Sequence, residues 1–263
     1  MTCSARLPVY ALLIAAFVPA TKVGILNLQG LVLFGLYLFG IVMGILTAFL
    51  MRKTTLRGPK PPFALMLPEF RRPNLQTVGI QLLSRAKIFL RRAGTVIFAV
   101  AVIIWALAYF PRSDEIPANV DENTAAAMQM EQSWLGRAGK FVEPVFEPLG
   151  WDWRVSSAVI ASFPAREVVV AVLGTVYAVG DDADEATLSS RLKSAKRPDG
   201  SPMFTLPMVI GLLIFYALCL QCVATLAIIR RETNTWRWPV FAWTYMTALG
   251  YVGALLAYQL GSA

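Results

Sequence analysis

The sequence contains no histidine. That removes the side chain most often used as a general base near neutral pH and the commonest metal ligand, so ordinary hydrolase chemistry loses its usual residues. Cysteine is nearly as scarce. Cys3, Cys219 and Cys222 are the only three, and they stand too close to apolar runs to suggest a disulfide framework. Charge is also in short supply: 15% of residues are charged, against about 25% in a typical soluble domain. No charge occurs between Val23 and Met51, Ala93 and Pro111, Gly200 and Ile229, or Trp238 and Ala263. Runs of that length match the ~20 apolar residues that cross a bilayer as a helix. The sequence therefore predicts an all-α, polytopic helical membrane protein of about five to six membrane segments, with broken or re-entrant helices among them.

What charge there is falls unevenly. Ten Lys and Arg lie between Arg52 and Arg92 against one acid, Glu69, whereas Arg112–Arg154 holds four basic and eight acidic residues. The positive-inside rule puts the first stretch in the cytoplasm and the second outside. The basic cluster flanks spans and lacks interleaved aromatics, which argues against nucleic acid as a partner and for a lipid surface.

The spans read as Leu7–Pro19, Leu28–Met51, Lys87–Phe110, Val155–Val179, Thr205–Ile229 and Pro239–Leu260. They divide the chain into a membrane segment (1–53), a Pro-rich and basic cytoplasmic linker (54–86), a membrane helix (87–111), an extracytoplasmic loop (112–153) and the C-terminal membrane segments (154–263). Leu7–Pro19 is short, and with Arg6 before it and Val18-Pro19-Ala20 after it the stretch also resembles a secretory leader. Thr77–Arg92 has apolar residues at helical spacing and reads as an interfacial helix leading into the next span. Helix-forming residues run from Glu122 to Lys140, and Asp181–Pro202 reads as a polar loop.

Counting crossings raises a conflict. If Val155–Val179 crosses fully, the loop with Arg230, Arg231 and Arg237 lies outside, against the charge rule. If it enters and returns on one face, that loop comes back inside. Pro164, Arg166 and Glu167 at its centre suit a broken helix.

An ionisable group at a helix centre costs at least ~2.5–3.5 kcal/mol on insertion scales, so Arg166 and Glu167 should face protein or water. Two roles are open to them. Arg166 can cap the carbonyls of a broken helix, or the pair can line an ion path with Glu167 as a ligand. Cys219 and Cys222, three residues apart, are expected to share one helix face. They are either small buried hydrophobes or soft ligands. "ARLPVYALL" from Ala5 and "AREVVVAVL" from Ala165 agree at five of nine positions. Such an echo is either chance among apolar residues or a pair of broken helices in corresponding halves.

The order of these segments resembles the membrane domain of FeoB-type ferrous iron transporters. "CSARLPVYALLIAAFVP" at Cys3–Pro19 is similar to the family's second Gate motif, and "RAKIFLRRAGTVIFAVAVIIWALAYFP" at Arg85–Pro111 to the segment after its cytoplasmic linker. "SFPAREVVVAVLGTVYAVG" and "CVATLAIIRRETNTWRWPVFAWTYMTALGY" are similar to its closing segments. The resemblance implies Fe²⁺ passage across the cytoplasmic membrane. Cys3, Cys222 and Glu167 would be transient ligands, with Ser4, Arg6, Arg166 and Cys219 in support. It implies no bound cofactor in this chain, and no enzyme activity. The family's GTPase would act on GTP in a domain not present here, since the sequence has no G-x-x-x-x-G-K-[ST] loop. The expected partners are Fe²⁺, lipid, and an N-terminal GTPase–membrane half or further copies of the chain. Two other readings are a membrane scaffold for a GTPase and a nucleoside-type permease built on the same Gate architecture.

Overall fold

A computed structural model describes residues 6–23, 26–54, 74–111, 122–163, 166, 168–177, 185–197 and 200–262. The Pro-rich stretch 55–73, residues 181–184 of the expected polar loop, and Cys3, Ser4 and Glu167 lie outside them. The fold is that of a helical membrane protein. Its elements in order are α1 (Leu7–Phe17), a two-stranded hairpin β1 (Lys22–Val23) and β2 (Leu26–Asn27), α2 (Leu28–Thr54) and α3 (Leu75–Tyr109). Then come α4 (Glu122–Gln132), α5 (Trp134–Phe146), α6 (Trp153–Ala161), α7 (Val168–Val176) and α8 (Glu185–Ser194). The chain closes with α9 (Leu206–Leu218), α10 (Val223–Thr233) and α11 (Arg237–Ser262).

Among the described residues, α2, the α9–α10 pair and α11 are long and apolar enough to span a bilayer. They differ in what they touch. Half of the apolar window of α9–α10 is buried in protein, against 6% for α2, whose Phe34, Ile45 and Phe49 face outward. In a bilayer such side chains meet lipid at no cost. α3 runs unbroken for 35 residues from its Asn74 cap, so the expected interfacial helix and the following span are one helix, begun inside the stretch read as linker.

The core forms around α9. Met208, Leu212, Phe215 and Tyr216 are buried, and α9 packs closely on α11, where small residues permit close approach. A Cβ on Gly211 would stand 3.1 Å from the Ala254 carbonyl oxygen, and one on Gly250 3.2 Å from the Cys219 amide. α1 is part of this core, with Val9, Tyr10, Leu12, Leu13 and Ile14 buried. A stretch packed so deeply is a structural half-length helix, and the leader-like reading of residues 7–20 gives way.

The crossing conflict is settled by two short helices. α6 and α7 have nine residues each, roughly 13 Å at 1.5 Å per residue, less than half of the ~30 Å hydrocarbon core. They pack against each other as an antiparallel hairpin. The Arg154 guanidinium at the start of α6 lies 5.6 Å from the Tyr177 ring just past α7. A straight helix would separate those two residues by about 34 Å. Residues 150 and 197 also meet, Arg197 Nη2 donating to the Gly150 carbonyl at 2.8 Å. The segment from Val155 to Tyr177 thus enters and returns on one face.

The other ends then fall into place. Phe17 stacks on Phe204 at 5.4 Å, and Gln29 Nε2 donates to the Val18 carbonyl, so α2 starts at the end where α9 starts. Both run away from it for similar lengths, which brings Arg52 and Lys53 to the same end of the bundle as Arg230 and Arg231. One basic face results, as the charge rule requires. At the opposite end α3 finishes beneath α4 and α5, where Gln129 Nε2 donates to the Tyr109 and Pro111 carbonyls.

Candidate functional site

The α9–α10 span is interrupted near its middle, 13 helical residues standing before the break and 11 after it. Cys219 (φ −64°, ψ 152°) ends α9 and Cys222 (φ −158°, ψ 103°) opens α10, both extended. This corrects the expectation that the two cysteines share a face of one continuous helix. The sequence between them, Leu220-Gln221, has neither proline nor glycine to force an interruption.

What holds the break open comes from elsewhere in the chain. Extended backbone at 219–222 withdraws the amides of Leu220, Gln221 and Val223 that would bond the carbonyls of Tyr216, Ala217 and Cys219 in a helix. Guanidiniums replace them. Arg166 Nη1 donates to the Tyr216 carbonyl at 2.7 Å, and its Nη2 donates to the Cys219 carbonyl. Arg6 Nη1 donates to the Ala217 carbonyl at 2.6 Å. The planar fork of arginine suits this role, since one side chain reaches two oxygens at once. Of the two sequence-level roles for Arg166, the carbonyl cap is the one observed.

The hairpin tip adds a neutral link. Ser162 Oγ donates to the Val159 carbonyl at 2.8 Å and lies 3.3 Å from both the Gln221 amide oxygen and the Tyr216 hydroxyl. Gln221 Nε2 donates to the same Val159 carbonyl at 3.2 Å. The end of α6 and the break in α9–α10 are therefore stitched together by buried polar groups, each with a partner as burial demands. Ser162 and Tyr216 carry no sequence signal that sets them apart. Gln221 stands out only as a lone amide in an apolar run.

The echo between residues 5–13 and 165–173 acquires a physical meaning here. Arg6 immediately precedes α1 and Arg166 lies two residues before α7, and both reach the same three-carbonyl cluster. Two short helices thus start at one mid-span point, each preceded by an arginine.

Of the sequence-predicted site residues, Arg6, Arg166 and Cys219 come together, and Cys222 stands at the other end of the same break. Cys219 is wholly buried and Cys222 half-buried. Cys3, Ser4 and Glu167 lie outside the described residues. Among the described residues no three acidic or cysteine side chains gather as a metal-binding group.

The family model described as "Nucleoside recognition", the Gate model, matches residues 90–236, more than half of the chain. The model of the ferrous iron transport protein B C terminus matches residues 33–85. This chain belongs to the FeoB-type Gate family. It is 36% identical over 262 residues to an Fe(2+) transporter FeoB of Leptospira interrogans, covering 99% of the chain and 37% of that protein. The FeoB of Methanocaldococcus jannaschii is 34% identical over 262 residues, 100% of the chain and 36% of the relative. A fusion of Fe(2+) transport protein A with FeoB in Porphyromonas gingivalis is 36% identical over 287 residues, covering 99% of the chain and 33% of the fusion. The chain thus spans about a third of the length of these curated FeoB relatives. No solved structure matches it.

A second feature of the Gate fold here is a cavity of about 620 Å³ at the end where the hairpin enters. Glu143, Glu147, Asp152, Arg154, Lys196 and Arg197 line it. Its carboxylates are partly engaged in holding α6, Glu143 Oε1 accepting from the Trp153 amide and Asp152 Oδ1 from the Val155 amide, both at 3.0 Å. Burial raises the pKa of the Asp152 carboxyl above its ordinary value, and the cap bond to Val155 opposes that rise.

Proposed function

We propose that this chain forms the C-terminal part of the ferrous ion path of a FeoB-type transporter. In this reading it is a multi-pass protein of the cytoplasmic membrane and carries Fe²⁺ as cargo. The observation that carries the reading is the meeting of two discontinuous helices, at Ser162–Arg166 and at Cys219–Cys222, inside a span long enough to cross the bilayer. Interrupted helices place backbone groups without intrahelical partners at mid-depth, which is how many transporters build ion sites; here the stranded carbonyls are bonded by Arg6 and Arg166. The similarity to FeoB proteins along the whole chain supplies the cargo.

Cys222, half-buried at the start of α10, is the thiol offered to the path from the described residues, and Cys3 and Glu167 complete the ligand set by family resemblance. A mixed sulfur and oxygen set suits a borderline cation such as Fe²⁺. Transient binding needs ligands strong enough to replace hydration and weak enough to release. The chain holds no resident cofactor in this proposal and catalyses no reaction. GTP would act through a part of the transporter outside this chain, and the remaining membrane half would complete the path.

The test is uptake of radiolabelled Fe²⁺ by cells in which this chain is joined to its upstream part and other ferrous uptake is deleted. Cys222→Ser and Glu167→Gln should abolish uptake while the protein still inserts. Uptake of uridine instead of iron would favour the nucleoside reading that the Gate description suggests, and uptake of neither, with retained binding of a GTPase, the scaffold.

A further inference from the structure

Glu143, Glu147 and Asp152 share the lining of the 620 Å³ cavity with Arg154, Lys196 and Arg197. Among the described residues no ion pair joins any of the six. Their hydrogen bonds go to backbone instead: Glu143 and Asp152 each use one oxygen on an α6 amide, and Arg197 one nitrogen on the Gly150 carbonyl. The remaining oxygens and N–H groups are left for a further partner. Trp151, also in the lining, is 2% exposed, and its indole Nε1–H has no hydrogen-bond partner among the described residues. A buried donor left unmade is costly. The volume lies within the ~300–1,000 Å³ of small-molecule sites. Tyr258 lines the same cavity and stands roughly 32 Å along α11 from Arg237, at 1.5 Å per residue, close to the ~30 Å thickness of the hydrocarbon core. With Trp151 and Trp153 beside it, the cavity is at headgroup level on the face opposite the basic one, where such aromatic residues belong.

We propose that this cavity binds the headgroup of phosphatidylethanolamine, with the phosphodiester held by Lys196 and Arg197 and the primary ammonium by Glu143 and Glu147. A simple anion would meet three carboxylates there, and a simple cation three basic side chains. A ligand carrying one charge of each sign answers both. The amides at the start of α6, the usual seat of an anion, are already taken by Glu143 and Asp152, so side chains must hold the phosphate. The same phosphate offers the Trp151 indole the acceptor it lacks. A primary ammonium donates three hydrogen bonds, which carboxylates accept. A quaternary choline donates none and favours aromatic cages. Here the Trp153 ring already holds Lys140 and Arg154 against it, at 5.3 and 5.6 Å. Phosphatidylglycerol brings no cation for the carboxylates. Val145 on α5 and Leu256 and Leu260 on α11 are exposed and give acyl chains an apolar surface on the same elements. A headgroup so bound would bridge α5, the start of the α6–α7 hairpin and residues 196–197.

The experiment is native mass spectrometry of the full chain in mild detergent, titrated with phosphatidylethanolamine, phosphatidylcholine and phosphatidylglycerol of identical acyl chains. Phosphatidylethanolamine should bind about fivefold more tightly than either of the others. Glu147 and Lys196 are exposed at the cavity and their side chains make no ion pair among the described residues, so Glu147→Gln and Lys196→Gln should keep the fold. Lys196→Gln should weaken phosphatidylethanolamine and phosphatidylglycerol alike, by about two- to fivefold. Glu147→Gln should weaken phosphatidylethanolamine by a similar factor and leave phosphatidylglycerol unchanged or tighter, a split that loss of fold would not produce. Glycerophosphoethanolamine, the same headgroup without acyl chains, should compete for the site at least about tenfold more weakly than the lipid. Equal binding of the three lipids, variants that leave phosphatidylethanolamine untouched, or variants that weaken all three lipids alike would each overturn the proposal. Glycerophosphoethanolamine binding as tightly as the lipid would overturn a membrane lipid as the occupant. None of these readouts involves iron, so failure here and failure of the ion path are distinguishable.

Discussion

Gly250 is where the packing of α11 controls the break, and its replacement by leucine should be felt there. A Cβ at this position would stand 3.2 Å from the Cys219 amide nitrogen and 3.3 Å from both the Cys219 Cβ and the Phe215 carbonyl oxygen. Two of these three neighbours are backbone atoms that cannot swing aside, and the remaining leucine carbons must go further into the seam. Overpacking of this kind costs about 1–3 kcal/mol, while leaving glycine within a helix returns about 0.5–1 kcal/mol. Gly44 in α2 isolates the second effect, since nothing stands within 4 Å of a Cβ there. Gly44→Leu should therefore leave stability unchanged or raise it by up to about 1 kcal/mol. The gain from leaving glycine is common to both, so the two variants should differ by the overpacking cost, roughly 1–3 kcal/mol, in reversible unfolding by a denaturing detergent in mixed micelles. Equal stability of Gly250→Leu and Gly44→Leu would refute the close seam between α11 and the break.

Three further outcomes are expected. Single cysteines placed at Thr54 and Thr235 should both resist an impermeant thiol reagent in intact cells, while one at Ser201 should be labelled; labelling of Thr235→Cys alone would restore a full crossing for Val155–Val179. Gln221→Leu keeps bulk but removes the amide between Ser162 and Val159, and should cost about 1–2 kcal/mol in the same unfolding assay, because Val159 retains its bond from Ser162. For Asp152, a folded pKa raised by burial means its carboxyl favours the fold most below the unfolded value near 4, and that contribution fades as pH rises through the raised folded value. Asp152→Asn, which keeps the cap, should thus gain in thermal stability relative to wild type between pH 4 and 7; a gap that does not change with pH would rule out desolvation as the controlling influence.

Much of this protein is determined by the sequence alone, because the bilayer enforces a simple rule. Uncharged runs of about 20 residues have few places to go but the membrane, so the spans Leu28–Met51 and Pro239–Leu260 match α2 and α11 within a few residues. The ten basic residues at 52–92 and those at 230–237 likewise identify one face. Pro164 and the adjacent charges mark the interruption between α6 and α7, where local chemistry itself disfavours helix. The family was legible too, since its motifs lie in order along the chain.

The interruption of α9–α10 was not legible, and the reason is physical. Cys-Leu-Gln-Cys is locally compatible with a helix, and only donors 211 and 50 positions away in the chain make the extended form competitive by bonding the carbonyls it strands. Such energy depends on where Arg6 and Arg166 sit in space, which periodicity cannot report. The hairpin of α6 and α7 was open to two readings for the same reason, because a broken helix can continue across or turn back, and contacts at Arg154, Tyr177 and Arg197 decide it. Local composition therefore set which residues enter the membrane, and tertiary hydrogen bonding by two arginines set where the helix inside it must break.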